Sequence, residues 1–309
     1  MFPGVGDIPS VCITANPSKK GKYKMSLVPN ILINTCVLGV MYILTALGFA
    51  FIFNMLSSIN LAHGALYMIS AYACYALSTW FGVSNWVALI ISAVLLAAVG
   101  LLLERVMFRP FFNDFDKTIM VGVAVMTILQ TAATIATGTK TLVIDSYAKG
   151  STVLGSVSVS NEKLLTFGIG LVLLLASLYL VNRTALGRQM EAVSQDRLGA
   201  ALQGININKV SALICAIGCA LAAVAGCLMG AYQGLSSTMG DTMNLRILML
   251  VMLAGAGSMN GILITGVVMG FLDSLFPVII QGNAASAAAI AIVVVLLLIK
   301  PKGFFGHEM

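Results

Sequence analysis

From Met25 to Leu103 the chain contains no Lys, Arg, Asp or Glu. A soluble domain of that length would need charged residues on its surface, so the pattern places this stretch in a lipid bilayer. An apolar segment crosses a bilayer when it has roughly 20 residues. Segments of about that character run over 28–53, 61–81, 87–103, 119–138, 164–181, 210–232, 247–257, 262–280 and 284–299. They predict an all-α fold, a polytopic transmembrane helical bundle of about eight spans with room for a broken or re-entrant segment.

The polar interruptions carry the next layer of information. Between Asn182 and Lys209 lies an island with six charges: Arg183, Arg188, Glu191, Asp196, Arg197 and Lys209. Leu186, Met190, Val193, Leu198, Ala201, Leu202 and Ile205 recur there at spacings that suit helix faces, predicting two short helices with a bend near Gly199. Such an element either docks a water-soluble partner or lies on the lipid headgroups. The stretch from Thr139 to Glu162 is rich in Thr, Val, Ser and Gly, and 152–159 predicts a hairpin around Gly155-Ser156.

Charge orients the chain. The loop at 104–117 carries Arg105, Arg109 and Lys117, the central island is basic, and Lys300-Pro301-Lys302 follows the last segment. Placing all three on the cytoplasmic face obeys the positive-inside rule. It requires two crossings between Lys117 and Arg183 and four between Lys209 and Lys300, and the apolar segments supply both. The beginning fits less simply, because Lys19, Lys20, Lys22 and Lys24 then fall outside. Either that extension is absent or translocated, with translation starting at Met25, or an early segment is re-entrant. No signal peptide is visible there.

Composition narrows the class. The 309 residues are 59% hydrophobic and only 9% charged, against about 25% charge in globular domains. The net charge of +6 therefore reflects basic loops at a lipid surface, and no basic cluster interleaved with aromatics points to nucleic acid. Cys12, Cys36, Cys74, Cys215, Cys219 and Cys227 form no Cys-x-x-Cys pair and read as small hydrophobes, not as metal ligands. Gly138-Thr139-Lys140-Thr141 ends like a P-loop, but Ala133 stands where the earlier glycine is required. No cofactor is expected on this chain.

Within the apolar segments a few polar groups stand out. The stretch Asn54 to Gly64 contains Asn60 and His63, costly in hydrocarbon unless hydrogen-bonded, so it is expected to break the helix at a cavity or junction. Arg246 and Asp273 lie at or within apolar segments and are candidates for the pathway, with snorkelling to the outer interface the simpler reading for Arg246. Gly218, Ala222, Gly226 and Gly230 repeat every four residues, and Gly257/Gly261 and Gly266/Gly270 repeat the same pattern, which predicts close helix packing.

Five stretches in order resemble the branched-chain amino acid permeases of ABC importers. They are Ser58-Ile59-Asn60-Leu61-Ala62-His63-Gly64; Glu104-Arg105-Val106-Met107-Phe108-Arg109-Pro110; Gly187-Arg188 through Leu202-Gln203-Gly204-Ile205-Asn206; Gly255-Ala256-Gly257-Ser258-Met259-Asn260-Gly261; and Lys300-Pro301-Lys302-Gly303-Phe304-Phe305-Gly306. The chain departs from the family at Ala65, where an acidic residue is usual, and at Gln203 and Ala256. The resemblance implies one permease domain over 25–306, a basic extension over 1–24, a coupling loop over 182–209 and a tail over 307–309. It implies an inner-membrane subunit that is not itself an enzyme. Its partners would be a second, homologous permease, two cytoplasmic ATPase subunits that bind the ATP, and an extracytoplasmic binding protein. Gly187, Arg188, Glu191, Asp196, Arg197 and Gly204 are then the expected ATPase-coupling residues. A permease for urea or short amides is the alternative substrate class. A self-sufficient secondary transporter would need more coupling acids than Asp273, and a membrane enzyme would need partners that His63 lacks in sequence.

Overall fold

The computed structural model describes residues 17–305, apart from 57–58, 112–113, 139, 155–156, 256, 281 and 301–302. The described residues form eleven α-helices and one hairpin. In chain order these are α1 (Pro17–Leu56), α2 (Ala62–Thr79), α3 (Asn85–Leu103), α4 (Phe115–Thr137), β1 (Ser151–Leu154), β2 (Val157–Ser160), α5 (Asn161–Arg183), α6 (Ala185–Gln195), α7 (Arg197–Leu202), α8 (Ile207–Gln233), α9 (Met239–Ala254), α10 (Met259–Ile279) and α11 (Asn283–Ile299). The polytopic helical bundle is the fold the hydropathy pattern predicts. Six helices are long and apolar enough to cross a membrane, over Val28–Met55, Asn85–Phe111, Phe115–Thr137, Asn161–Arg183, Ile207–Gln233 and Met259–Ile279. Residues 17–24, read in sequence as part of a separate extension, continue α1.

Three further helices are not among these six, and one of them, α9, also starts well before its expected position. At 16 residues, α9 spans about 24 Å at 1.5 Å per residue, short of the roughly 30 Å hydrocarbon core. It starts at Met239, not near 247, and in its first turn Asp241 accepts from the side-chain amide of Gln130 of α4. A carboxylate held this way enters an apolar environment that hydropathy alone would forbid. The second case, α2, begins beside the middle of α1: His63 Nε2 lies 3.2 Å from the Thr45 carbonyl oxygen. It then runs along α8, where Ser70 Oγ donates to the Ala223 carbonyl at 3.0 Å. The third, α11, has 17 residues.

From Val37 to Met55, α1 is almost fully buried and forms the core with α8, and α10, α3, α2 and α5 pack around them. Glycines set how near these helices come. A Cβ on Gly218 would lie 2.6 Å from the Gly48 carbonyl oxygen, and one on Gly270 would lie 2.6 Å from the Gly39 nitrogen. A Cβ on Gly226 would strike the Tyr67 carbonyl, and one on Gly230 would press Ala71 and Ile144 at 3.2 Å. The four-residue row is therefore a packing face. Gly261 has the same character, 2.5 Å from the Ala254 carbonyl oxygen. Gly257 differs from the sequence reading: it sits in the α9–α10 turn with φ +86°, and a Cβ there would meet only Asn54 Oδ1, at an ordinary contact distance of 3.8 Å. There the requirement is the left-handed backbone, not close packing.

The helix starts reveal one polar end of the bundle. Asp114, Thr184, Asp196, Asn206 and Ser258 each accept a backbone N–H at the first turn of α4, α6, α7, α8 and α10. Each such cap is worth about 1 kcal/mol. At the opposite end lies the hairpin, with Leu154 paired to Val157 and Ser151 to Ser160. Glu162, 5% exposed, holds the preceding loop there by accepting from Ser146 Oγ at 2.6 Å and from the Ala148 amide at 3.1 Å.

Candidate functional site

The polar end is built around α6 and α7. Thr184 ends α5 and starts α6 at once, donating its hydroxyl to the Leu180 carbonyl at 2.6 Å and accepting from the Gly187 amide at 3.2 Å. A side chain at Gly187 would strike the Val181 carbonyl, so this glycine makes the tight corner between the two helices. Met190 and Val193 of α6 are buried, while Arg188 and Glu191 face outward. The break between the helices falls at Asp196, three residues before the expected bend at Gly199. Asp196 caps α7 by accepting from the Gly199 amide at 3.0 Å, which is why the chain interrupts there. Gly204, with φ +83°, closes the island.

The faces of the two helices point in opposite senses. Whereas α6 turns its apolar side into the bundle, α7 presents Leu198 and Leu202 outward, 71% and 80% exposed. These two leucines sit one turn apart on a helix anchored to the core by its first residue. Arg197 Nη2 donates to the Met55 carbonyl at the end of α1, 2.7 Å away. A cation at a helix C-terminus is favoured by the exposed carbonyls and the helix dipole, and burial pushes the Arg197 guanidinium down from its ordinary value.

Beside this surface α3 passes into a π-helical turn, Glu104–Phe108. Glu104 is fully buried and pairs with Arg109 through Nη2 at 2.8 Å and Nε at 3.3 Å. The π turn brings residues five apart into register, which an α-helical turn would not do. Arg109 Nη2 also donates to the Asn208 carbonyl in the first turn of α8, 3.3 Å away. A buried carboxylate thus fastens the α3–α4 connection to α8.

A second polar centre lies deeper. Asp273 of α10 accepts from the Tyr42 hydroxyl at 2.6 Å and pairs with Arg246 Nε at 2.9 Å. The Arg246 N–H is not aligned for a hydrogen bond, so that contact is chiefly Coulombic. Both ionic side chains are largely buried, 16% and 7% exposed, and the guanidinium stands 5.7 Å from the Tyr42 ring centre. Arg246 joins α9 to α1 and α10 near the midpoint of α1. Asn60 and His63 lie elsewhere: Asn60 Oδ1 accepts from the Ala62 amide at 3.0 Å to start α2, and His63 is buried against Phe49 with ring centres 5.8 Å apart. The structure therefore divides the sequence candidates into a surface (187–204), an ionic centre (Arg246, Asp273) and a helix junction (Asn60, His63).

Four participants escaped the sequence reading: Tyr42, Glu104, Gln130 and Asp241. Glu104 lay inside a quoted motif, and Gln130 is an isolated amide in an apolar helix, a signal that could have been followed. Nothing in sequence distinguishes Tyr42.

Residues 31–299 match the family model for the permease component of branched-chain amino acid transport systems. The chain is 28% identical over 288 residues to the high-affinity branched-chain amino acid transport system permease protein LivH of Escherichia coli K12, covering 88% of this chain and 94% of that protein. It is 27% identical over 290 residues to BraD of Pseudomonas aeruginosa, covering 89% and 94%. A more distant relative is LivM of Escherichia coli K12, 24% identical over 262 residues, 77% of this chain and 61% of that one. With the family model spanning most of the chain, this membrane protein belongs to the permease components of branched-chain amino acid transport systems.

Proposed function

We propose that the chain is one of two permease subunits in an ATP-driven importer of the cell inner membrane, passing branched-chain amino acids handed over by an extracytoplasmic binding protein. The observation that carries this reading is the exposed Leu198/Leu202 face, tied through Arg197 to the end of α1. Two cytoplasmic ATPase subunits would seat on that face, with Arg188 and Glu191 at its polar edge. Their closure would move α7, and the Arg197–Met55 bond would pass the motion to α1 as a rigid rod. The far side of α1 holds Tyr42 against Asp273 and Arg246, so a shift of α1 bears on the ionic centre. Packed helices of this kind shift between discrete arrangements.

Reconstitution tests the reading. The chain, co-expressed with its companion permease, ATPases and binding protein, should take up L-leucine into proteoliposomes only with ATP enclosed on the ATPase side. Glu191→Lys should weaken ATPase co-purification and uptake while leaving membrane insertion normal. Leucine uptake driven by an ion gradient without the ATPases would replace this reading with that of a secondary transporter. Uptake of urea but not leucine would replace the substrate class.

A further inference from the structure

A cavity of about 290 Å³ opens where α1, α2, α8 and α9 meet the chain segments that connect α4 to the hairpin and α8 to α9. Its volume falls at the small end of ligand pockets, which run roughly 300–1,000 Å³, and suits a molecule of amino-acid size. Three chemistries line it. Arg246 contributes a cation, with the Tyr42 ring 5.7 Å from its guanidinium and Tyr67 also in the lining. Met229, Met239 and Met243 contribute apolar surface. Gln233, Ser236 and Thr242 add neutral hydrogen-bonding groups.

We propose that this cavity is a binding subsite inside the permease for a zwitterionic aliphatic amino acid, with the substrate carboxylate on Arg246. The proposal rests on the amino-acid permease reading and locates a place where the substrate pauses within the subunit. Arg246 turns Nε toward Asp273, and a guanidinium has five N–H donors in a planar fork, a geometry that matches a carboxylate. The Arg246–Asp273 pair is neutral overall. A lone anion or lone cation entering such a site would leave an uncompensated charge in a low-dielectric interior, whereas a zwitterion brings both signs together. Tyr42 and Tyr67 offer ring faces and the amide and hydroxyl groups offer acceptors for the ammonium. The methionines supply apolar surface that adapts its shape, so leucine, isoleucine and valine side chains fit against it. Neither Arg246 nor the methionines alone would specify this class; their meeting in one cavity does.

The test is substrate protection of a thiol placed in the cavity. The Thr242→Cys chain, purified with its companion permease and ATPases in lipid nanodiscs, is labelled with a maleimide and the residue-242 peptide is quantified by mass spectrometry. Occupancy of a single site at about ten times the dissociation constant should slow labelling about tenfold. L-Leucine should give this protection, while L-leucinamide, which lacks the carboxylate, and 4-methylpentanoate, which lacks the ammonium, should not. Arg246→Gln combined with Asp273→Asn removes both charges together and should abolish the protection. If that double variant does not assemble, Arg246→Lys decides, since it keeps the charge but loses the planar fork and should weaken protection. Unchanged labelling at saturating leucine overturns the proposal, as does equal protection by leucinamide or protection that survives loss of the guanidinium. ATP-driven leucine uptake by the unmodified importer is measured separately, so its absence counts against the functional reading and not against the cavity chemistry.

Discussion

At the scale of single residues, the buried polar groups act as matched pairs whose members depend on one another. Removing one member of a buried ion pair leaves the other charge unpaired, at a cost of about 3–5 kcal/mol, whereas removing both together is far less costly. Asp273→Asn alone should therefore lower the thermal midpoint of the purified complex, and so should Arg246→Gln alone. The combined variant should recover much of the loss; midpoints that simply add would show the two residues to be uncoupled. Gly226 makes a separate prediction. Overpacking a tight core costs about 1–3 kcal/mol, so Gly226→Leu, forced against Tyr67 and Ser70, should reduce the yield of assembled protein. A loop glycine such as Gly150 looks in sequence like a neutral control, but its φ of +100° makes any side chain strained. Gly168, with open space around its Cα, is the proper one, and equal losses at Gly168 and Gly226 would refute the packing role. Asp273 and Arg246 were legible as costly charges in apolar segments. Tyr42 was not, since a tyrosine in an apolar run looks the same whether or not its hydroxyl meets a carboxylate 231 positions away.

At the scale of elements, the island between α5 and α8 was legible as two amphipathic helices, because charge and apolar spacing both survive in a short helix. Two features were not. The break at Asp196 depends on a side-chain cap competing with helix continuation, and the outward sense of α7 depends on where Arg197 is anchored. That anchor predicts a separation of binding from coupling. Leu198→Asp with Leu202→Asp should abolish ATPase co-purification if the exposed apolar face is the contact, as proposed. Arg197→Ala should instead leave the ATPases bound while uptake falls several-fold, because the link to the Met55 carbonyl is gone. Loss of ATPase binding in Arg197→Ala, with normal folding, would assign the residue to the contact itself.

At the scale of the whole molecule, hydropathy gave the helical bundle but not which ends of its helices share a face. Contacts between distant segments decide that. Arg197 meets the end of α1 at Met55, so α1 ends on the side of α6 and α7. Its earlier part meets the opposite side, where Lys163 Nζ at the start of α5 donates to Asn34 Oδ1 at 2.9 Å. The chain then turns back after Leu56 and starts α2 beside Thr45, in the interior. The signal for that interior start was the run of Asn60 and His63, polar groups tolerated only where the protein interior satisfies them. Basic loops attract the cytoplasmic assignment for 104–117 and 182–209, and the contacts then put the start of α1 on the outer face with the hairpin. Thiols placed one at a time in a chain with Cys12 and Cys36 replaced test the arrangement in intact cells. Thiols from Val28→Cys and Gly82→Cys should react with an impermeant maleimide added outside, whereas one from Leu198→Cys should react only after the membrane is opened. A thiol at position 28 that reacts only after opening would reverse α1 and, with it, the proposed path by which movement of α7 would reach Tyr42, Asp273 and Arg246.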